Sequence, residues 1–297
     1  MVIYLMLGML VVLAIGLQEM LGKLGLSTIE KSRVYGPQLQ PNDFGAFLVY
    51  GITPFIGVAI VFMGKLRIWA LLPVFALYAK VLITTFSRGA YLGFGVAAII
   101  AAYVRGKTFL VFMGLLGILV LLAFPQLIPQ SLMDRFGHTT GQGVYSERMD
   151  QSSADRIILW NAAVDMSIES PLLGKGFKAF QKLKSEYTER PVRVSDPHNM
   201  YLFISSQMGI PALILFLMIL YRHYSMSVFL ARNTQERFVR AIGIGGAAMA
   251  GSIAAINMFG SRMVNVEVCG YFWIYLAIIM HLIYEYDKNN QQTYQKQ

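Results

Sequence analysis

Long apolar runs alternate with short polar connections along this chain, and only one connection is long. The runs fall at roughly 2–18, 43–64, 68–86, 89–104, 108–128, 199–220, 241–260 and 268–284. Most approach the ~20 residues a helix needs to cross the hydrocarbon layer of a bilayer. The pattern predicts an all-α fold, a polytopic transmembrane helix bundle of about eight spans with both termini on one side. The polar stretch 129–198 is then a long, partly helical outer loop, inserted between the fifth and sixth spans of a single membrane domain covering 1–297. Within it, Ile157, Trp160, Val164 and Ile168 recur at three- and four-residue steps, which predicts a helix over Asp155–Glu169 with one apolar stripe. Ser152 or Ser153 is expected to cap its start, with Asp155 in the first turn and Pro171 ending it. The stripe is expected to rest on the bundle or in the headgroup layer. The seventh run is dense in Gly, Ala and Ser, which predicts either a central, closely packed span or the wall of a groove for a lipid tail.

Composition agrees with a membrane protein. Charged residues make up 14% of the chain and the mean hydropathy is +0.54, whereas soluble domains carry about 25% charged residues. The first run lacks the basic start and small-residue cleavage site of a signal peptide, so it is read as a retained span. With both termini in the cytoplasm, the inner segments hold ten basic residues and the short outer ones five, which places the long loop outside. That loop balances nine basic against nine acidic residues. The remaining basic residues are scattered between spans, which argues against nucleic acid as a partner. Cys269 is the single cysteine, so no intrachain disulfide can form.

Candidate chemistry gathers at the predicted outer ends of the spans. In Ser195-Asp196-Pro197-His198-Asn199, Pro197 fixes the backbone and Asn199 can cap the helix that follows. An imidazole held there can be a proton-abstracting base or simply part of the cap. Arg88, between Ser87 and Gly89, can be a snorkelling end residue or the cation of an anion site at the start of the next helix. Arg156 lies one turn before Trp160, and its fork suits either a surface stack or a phosphate grip. Arg262, with Asn265 and Glu267, is a weaker version of the Arg88 arrangement. His281 and His223 are expected to be structural or solvated, His223 in a basic cytoplasmic loop, and His138 lacks apolar framing. No metal-binding motif and no nucleotide-binding loop accompanies these residues, so neither a metal nor another cofactor is expected.

Four segments in order carry a family resemblance: VYGPQLQPNDFGAFL (34–48), TTFSRGAYLGF (84–94), DRIILWNAAVDMSIESPLLGKGFKAF (155–180) and DPHNMYLFISSQMGIPALILFL (196–217). With them the chain resembles the O-antigen ligase and O-antigen polymerase superfamily, whose shared core is the Wzy C-terminal domain. The resemblance implies a multi-pass enzyme of the bacterial inner membrane. Such an enzyme moves a glycan from a polyprenyl-pyrophosphate carrier to a glycolipid, glycan or protein acceptor on the outer face, without a metal and with inversion. It implies catalysis by His198 with Arg88 and Arg156, and substrate binding by Arg88, Arg156, Trp160, Asn199 and Arg262. Members of the family commonly have more spans than the eight read here. A protein O-oligosaccharyltransferase is the alternative within the family, and a transporter of lipid-linked glycan the alternative outside it. If one site is formed, Arg88, Arg156 and His198 are expected to converge on an outer cavity under the loop helix.

Overall fold

The computed structural model describes residues 1–25, 29–38, 40–123 and 146–295, and the described residues are helical with short connections. Among the described residues, each of the eight apolar runs has a helix as its main part. These helices are α1 (Val2–Gly22), α2 (Pro41–Phe62), α3 (Leu72–Thr84, preceded by a 3-10 segment Leu66–Leu71), α4 (Arg88–Arg105) and α5 (Lys107–Ala123). After the long connection, which contributes α6 (Ser146–Glu169) and α7 (Ala179–Tyr187), come α8 (Met200–Asn233), α9 (Arg237–Ile256) and α10 (Val266–Gln295). Six of these segments are long and apolar enough to cross a membrane: α1, α2, Leu66–Thr84, α8, α9 and α10. The remaining two, α4 with 18 residues and α5 with 17, are the shorter ones. His138 and the first part of the long connection lie outside the described residues.

The chain forms two compact units, one of Met1–Gly117, Leu220–Ile256 and Val264–Gln297, the other of Ile118–Ile219 and Asn257–Met263. In the first, α9 is the centre, buried along most of its length and packed chiefly on α2 and α4. Small residues make this possible. A Cβ at Gly57 of α2 would lie 2.0 Å from the Ala241 carbonyl oxygen, so the two backbones meet where no larger residue fits. Ala97, Ala101, Ile244, Ala247 and Ala248 continue the contact. The close-packing expectation for this span is thus met.

His223, expected to be structural or solvated in a cytoplasmic loop, is structural but lies in a helix. It is fully buried, because α8 continues past the apolar run to Asn233 and carries it against Phe272, 5.2 Å between ring centroids, and Tyr275.

The second unit is built on α6 and α7. Leu159, Ala162, Ala163 and Met166 of α6 close over Phe180 of α7 and Val192. Ile157, Val164 and Ile168 of the apolar stripe are exposed to the surroundings of the protein, and the face buried within this unit is the one carrying the alanines. Alanines bring the helices close, while the bulkier residues are left outward. The helix also starts earlier than expected, at Ser146, so Ser152, Ser153 and Asp155 lie inside it. Asp155 instead pairs with Arg190. The helix ends before Pro171 as the sequence requires.

The segment after α6 locks onto a break in α8. Gly209 has φ 85° and ψ 171°, outside the helical region, so α8 is two helices joined by a kink. The kink frees backbone groups that the preceding turn satisfies. Lys175 N–H donates to Ser206 O at 2.9 Å, Gly176 N–H to Gln207 O at 3.0 Å, and Ile210 N–H to Pro171 O at 2.7 Å. Gly209 and Gly174 both have positive φ, and a Cβ on either would stand 2.3 Å from backbone of the other strand of the junction.

Candidate functional site

The turn before α8 is held from three directions. Trp160 of α6 donates its indole N–H to the Pro197 carbonyl at 2.8 Å. The main-chain N–H of Met200 donates to the Asn257 carbonyl at 2.8 Å, and the Asn257 side chain accepts from the N–H groups of Arg262 (3.1 Å) and Met263 (3.3 Å). Lys184 of α7 donates to the carbonyls of Val192 and Val194, fixing the extended approach to the turn. Asn199 then caps α8, accepting from Tyr201 N–H at 3.0 Å and Leu202 N–H at 3.2 Å.

His198 sits at the centre of this frame with φ 52°, a left-handed conformation uncommon for a residue with a side chain. Asp196 holds it there. Its carboxylate accepts the His198 main-chain N–H at 3.2 Å and the Ser261 hydroxyl at 2.7 Å. The His198 Nδ1 is buried 3.4 Å from the same carboxylate, without a hydrogen bond of its own. Burial pushes the Asp196 carboxyl up, but the donors His198 and Ser261 outweigh it and hold the group below its ordinary range. The imidazole thus presents its Nδ1 side to Asp196. About a third of each side chain is exposed, so reactants can reach the pair.

Of the residues singled out from the sequence, Arg156, Trp160, His198, Asn199 and Arg262 belong to this one unit. Arg156 is half-buried one turn before Trp160, and Arg262 opens a 3-10 turn beside Ser261. Asp196, Asn257 and Ser261 were missed as supporting residues. Asn257 and Ser261 lie some sixty residues downstream of the turn, where no spacing rule points to them.

Arg88 lies in the other unit, as the first residue of α4. Ser87 caps that helix, its hydroxyl accepting from Ala90 N–H at 3.4 Å. The residue before it, Phe86, has φ 52°, so this junction also carries a left-handed residue with a side chain. Gly45 leaves room for the junction: a Cβ there would be 2.9 Å from that of Ala90. Arg33 closes it from the side, donating to Thr85 O at 3.0 Å and to the Asn42 side chain at 3.0 Å. Asn265, grouped with Arg262 by proximity in sequence, instead donates to Asp43 in α2.

A many-helix membrane protein with a histidine–carboxylate turn at the head of a broken span is the class these features define. The family model for O-antigen ligase matches residues 73–217, a segment that contains Arg88, Arg156, Trp160, His198 and Asn199. That stretch of the chain is thus similar to the O-antigen ligase family, and three of the four segments singled out from the sequence, 84–94, 155–180 and 196–217, fall inside it, whereas 34–48 precedes it. The chain is also 26% identical over 266 residues to a protein of Rickettsia conorii named as a candidate polysaccharide ligase. That alignment covers 82% of this chain but 58% of the relative, so the chain spans little more than half the length of the protein it matches.

Proposed function

We propose that the protein transfers a glycan from a polyprenyl-pyrophosphate carrier to an acceptor hydroxyl on the outer face of the bacterial inner membrane. The observation that carries this reading is the Asp196–His198–Ser261 cluster at the start of α8, whose Asp196 and His198 lie in the segment matched by the O-antigen ligase family. His198 Nε2 takes the proton of the attacking hydroxyl, and Asp196 steadies the imidazolium that forms. The hydroxyl attacks the anomeric carbon as the bond to pyrophosphate breaks on the opposite face, which inverts the configuration. Pyrophosphate is a good leaving group once its charge is stabilised, the role assigned to Arg156 and Arg88. Trp160 is better read as a support of the histidine turn than as a substrate contact, because its indole N–H is used by Pro197.

The test is transfer from a labelled lipid-linked glycan by the purified protein. His198→Ala is expected to lower kcat by about 10²–10⁴, the usual worth of a positioned base, with donor binding little changed. Wild-type transfer by that variant would remove the role. Arg156→Ala is expected to weaken donor binding as well as turnover. The acceptor (a glycolipid core, a growing glycan, or a protein hydroxyl) follows from mass analysis of the glycoconjugate lost on deletion.

A further inference from the structure

At the opposite end of the first unit from Arg88, three inter-helix junctions meet around a cavity of about 320 Å³. Its walls are Val61, Phe62 and Gly64 at the end of α2, Lys65, Arg105 at the end of α4, and Arg237 and Arg240 in the first turn of α9. Four cations thus face one space. Among the described residues, none of the four is in an ion pair. The Arg240 guanidinium donates one Nη to the Thr234 carbonyl at 3.0 Å, while its Nε is buried without a partner. Local structure gives no reason for this. Arginines in the first turn of a helix oppose its dipole, and like charges brought together repel unless an anion lies between them. A general excess of basic residues on one side of a membrane explains scattered lysines and arginines, not convergence of three junctions on one cavity.

We propose that this cavity binds a phosphate group, held by Lys65, Arg105, Arg237 and Arg240. Arginine forks match phosphate oxygens in pairs, and the buried Nε of Arg240 supplies an unused donor. The apolar wall of Val61 and Phe62 at the membrane boundary suits the headgroup of an acidic phospholipid. A soluble phosphate would use the same cations.

Two measurements on the full-length purified protein distinguish these sources. Native mass spectrometry reads retention of phosphatidylglycerol against phosphatidylcholine, and calorimetry reads the binding of inorganic phosphate. Lys65→Gln/Arg237→Gln removes two exposed cations of the cavity, and Arg105→Gln tests a third independently. Arg67→Gln/Arg232→Gln removes two exposed cations outside it. Each cavity cation removed is expected to weaken anionic-lipid retention about fivefold, so the first double variant about 25-fold, with the second double variant near wild type. Phosphate heat abolished by the cavity variants, without preference for the acidic lipid, supports the same chemistry with a soluble source. Equal losses in both double variants, or neither lipid preference nor phosphate heat in the wild type, overturns the proposal.

Discussion

Asp196 is the residue whose neighbours say most about the turn it serves. Its folded carboxyl is held below the ordinary value of 3.8, so its ionised form contributes stability that is full above that value and is lost as pH falls through the folded one. Thermal melts of the detergent-solubilised protein should therefore fall off below about pH 4, with a flatter acid limb in Asp196→Asn. The same variant should lose about 10²-fold in kcat, since an unanchored imbalance of an ångström at the base is enough for that loss. Trp160→Phe keeps the ring but strands the Pro197 carbonyl, and should lower kcat while leaving the fold intact. His198 itself was legible from its proline and asparagine neighbours. Its supports were not, because Asn257 and Ser261 come from the far side of α8 and α9 in the chain and meet the turn only in three dimensions.

Among the elements, apolar runs located all six described helices that are long and apolar enough to cross a membrane, because a bilayer imposes length and composition together. The alanine face of α6 was not legible for a related reason. Large side chains mark the interior of a soluble domain, but near a membrane Ile157, Val164 and Ile168 can stay outward while Ala162 and Ala163 make the close contact. A misjudgement of length put His223 in a loop, since α8 runs to Asn233, well beyond its apolar core. The junction between the Pro171–Gly176 turn and Gly209 yields a sharper expectation. Gly209→Ala and Gly174→Ala should each destabilise by about 1–3 kcal/mol, through strain at positive φ and collision with the opposing backbone. Because either change opens the same junction, the double variant should cost less than the sum, which a double-mutant cycle of chemical denaturation would measure.

For the whole molecule, the two ends of the first unit divide the polar residues. One end carries Arg88 together with Arg33, Asp43, Ser87 and Asn265, the last four bound to one another or to backbone. The other carries the four cations of the cavity. The centre between them is α9, and replacing Gly57 by valine should drive α2 away from it and lower thermal stability by several degrees or prevent folding. The mended break in α8 also has a bearing on how the chain is made. Synthesis delivers Pro171–Gly176 before Ser206–Ile210, so the turn emerges without the groups that will accept and supply its hydrogen bonds. This junction can close only after the first half of α8 has been made. A nascent chain arrested before Gly209 should leave this turn open to protease, and one arrested after the end of α8 should protect it, while the histidine turn itself is completed only when Asn257 and Ser261, beyond α9, have followed.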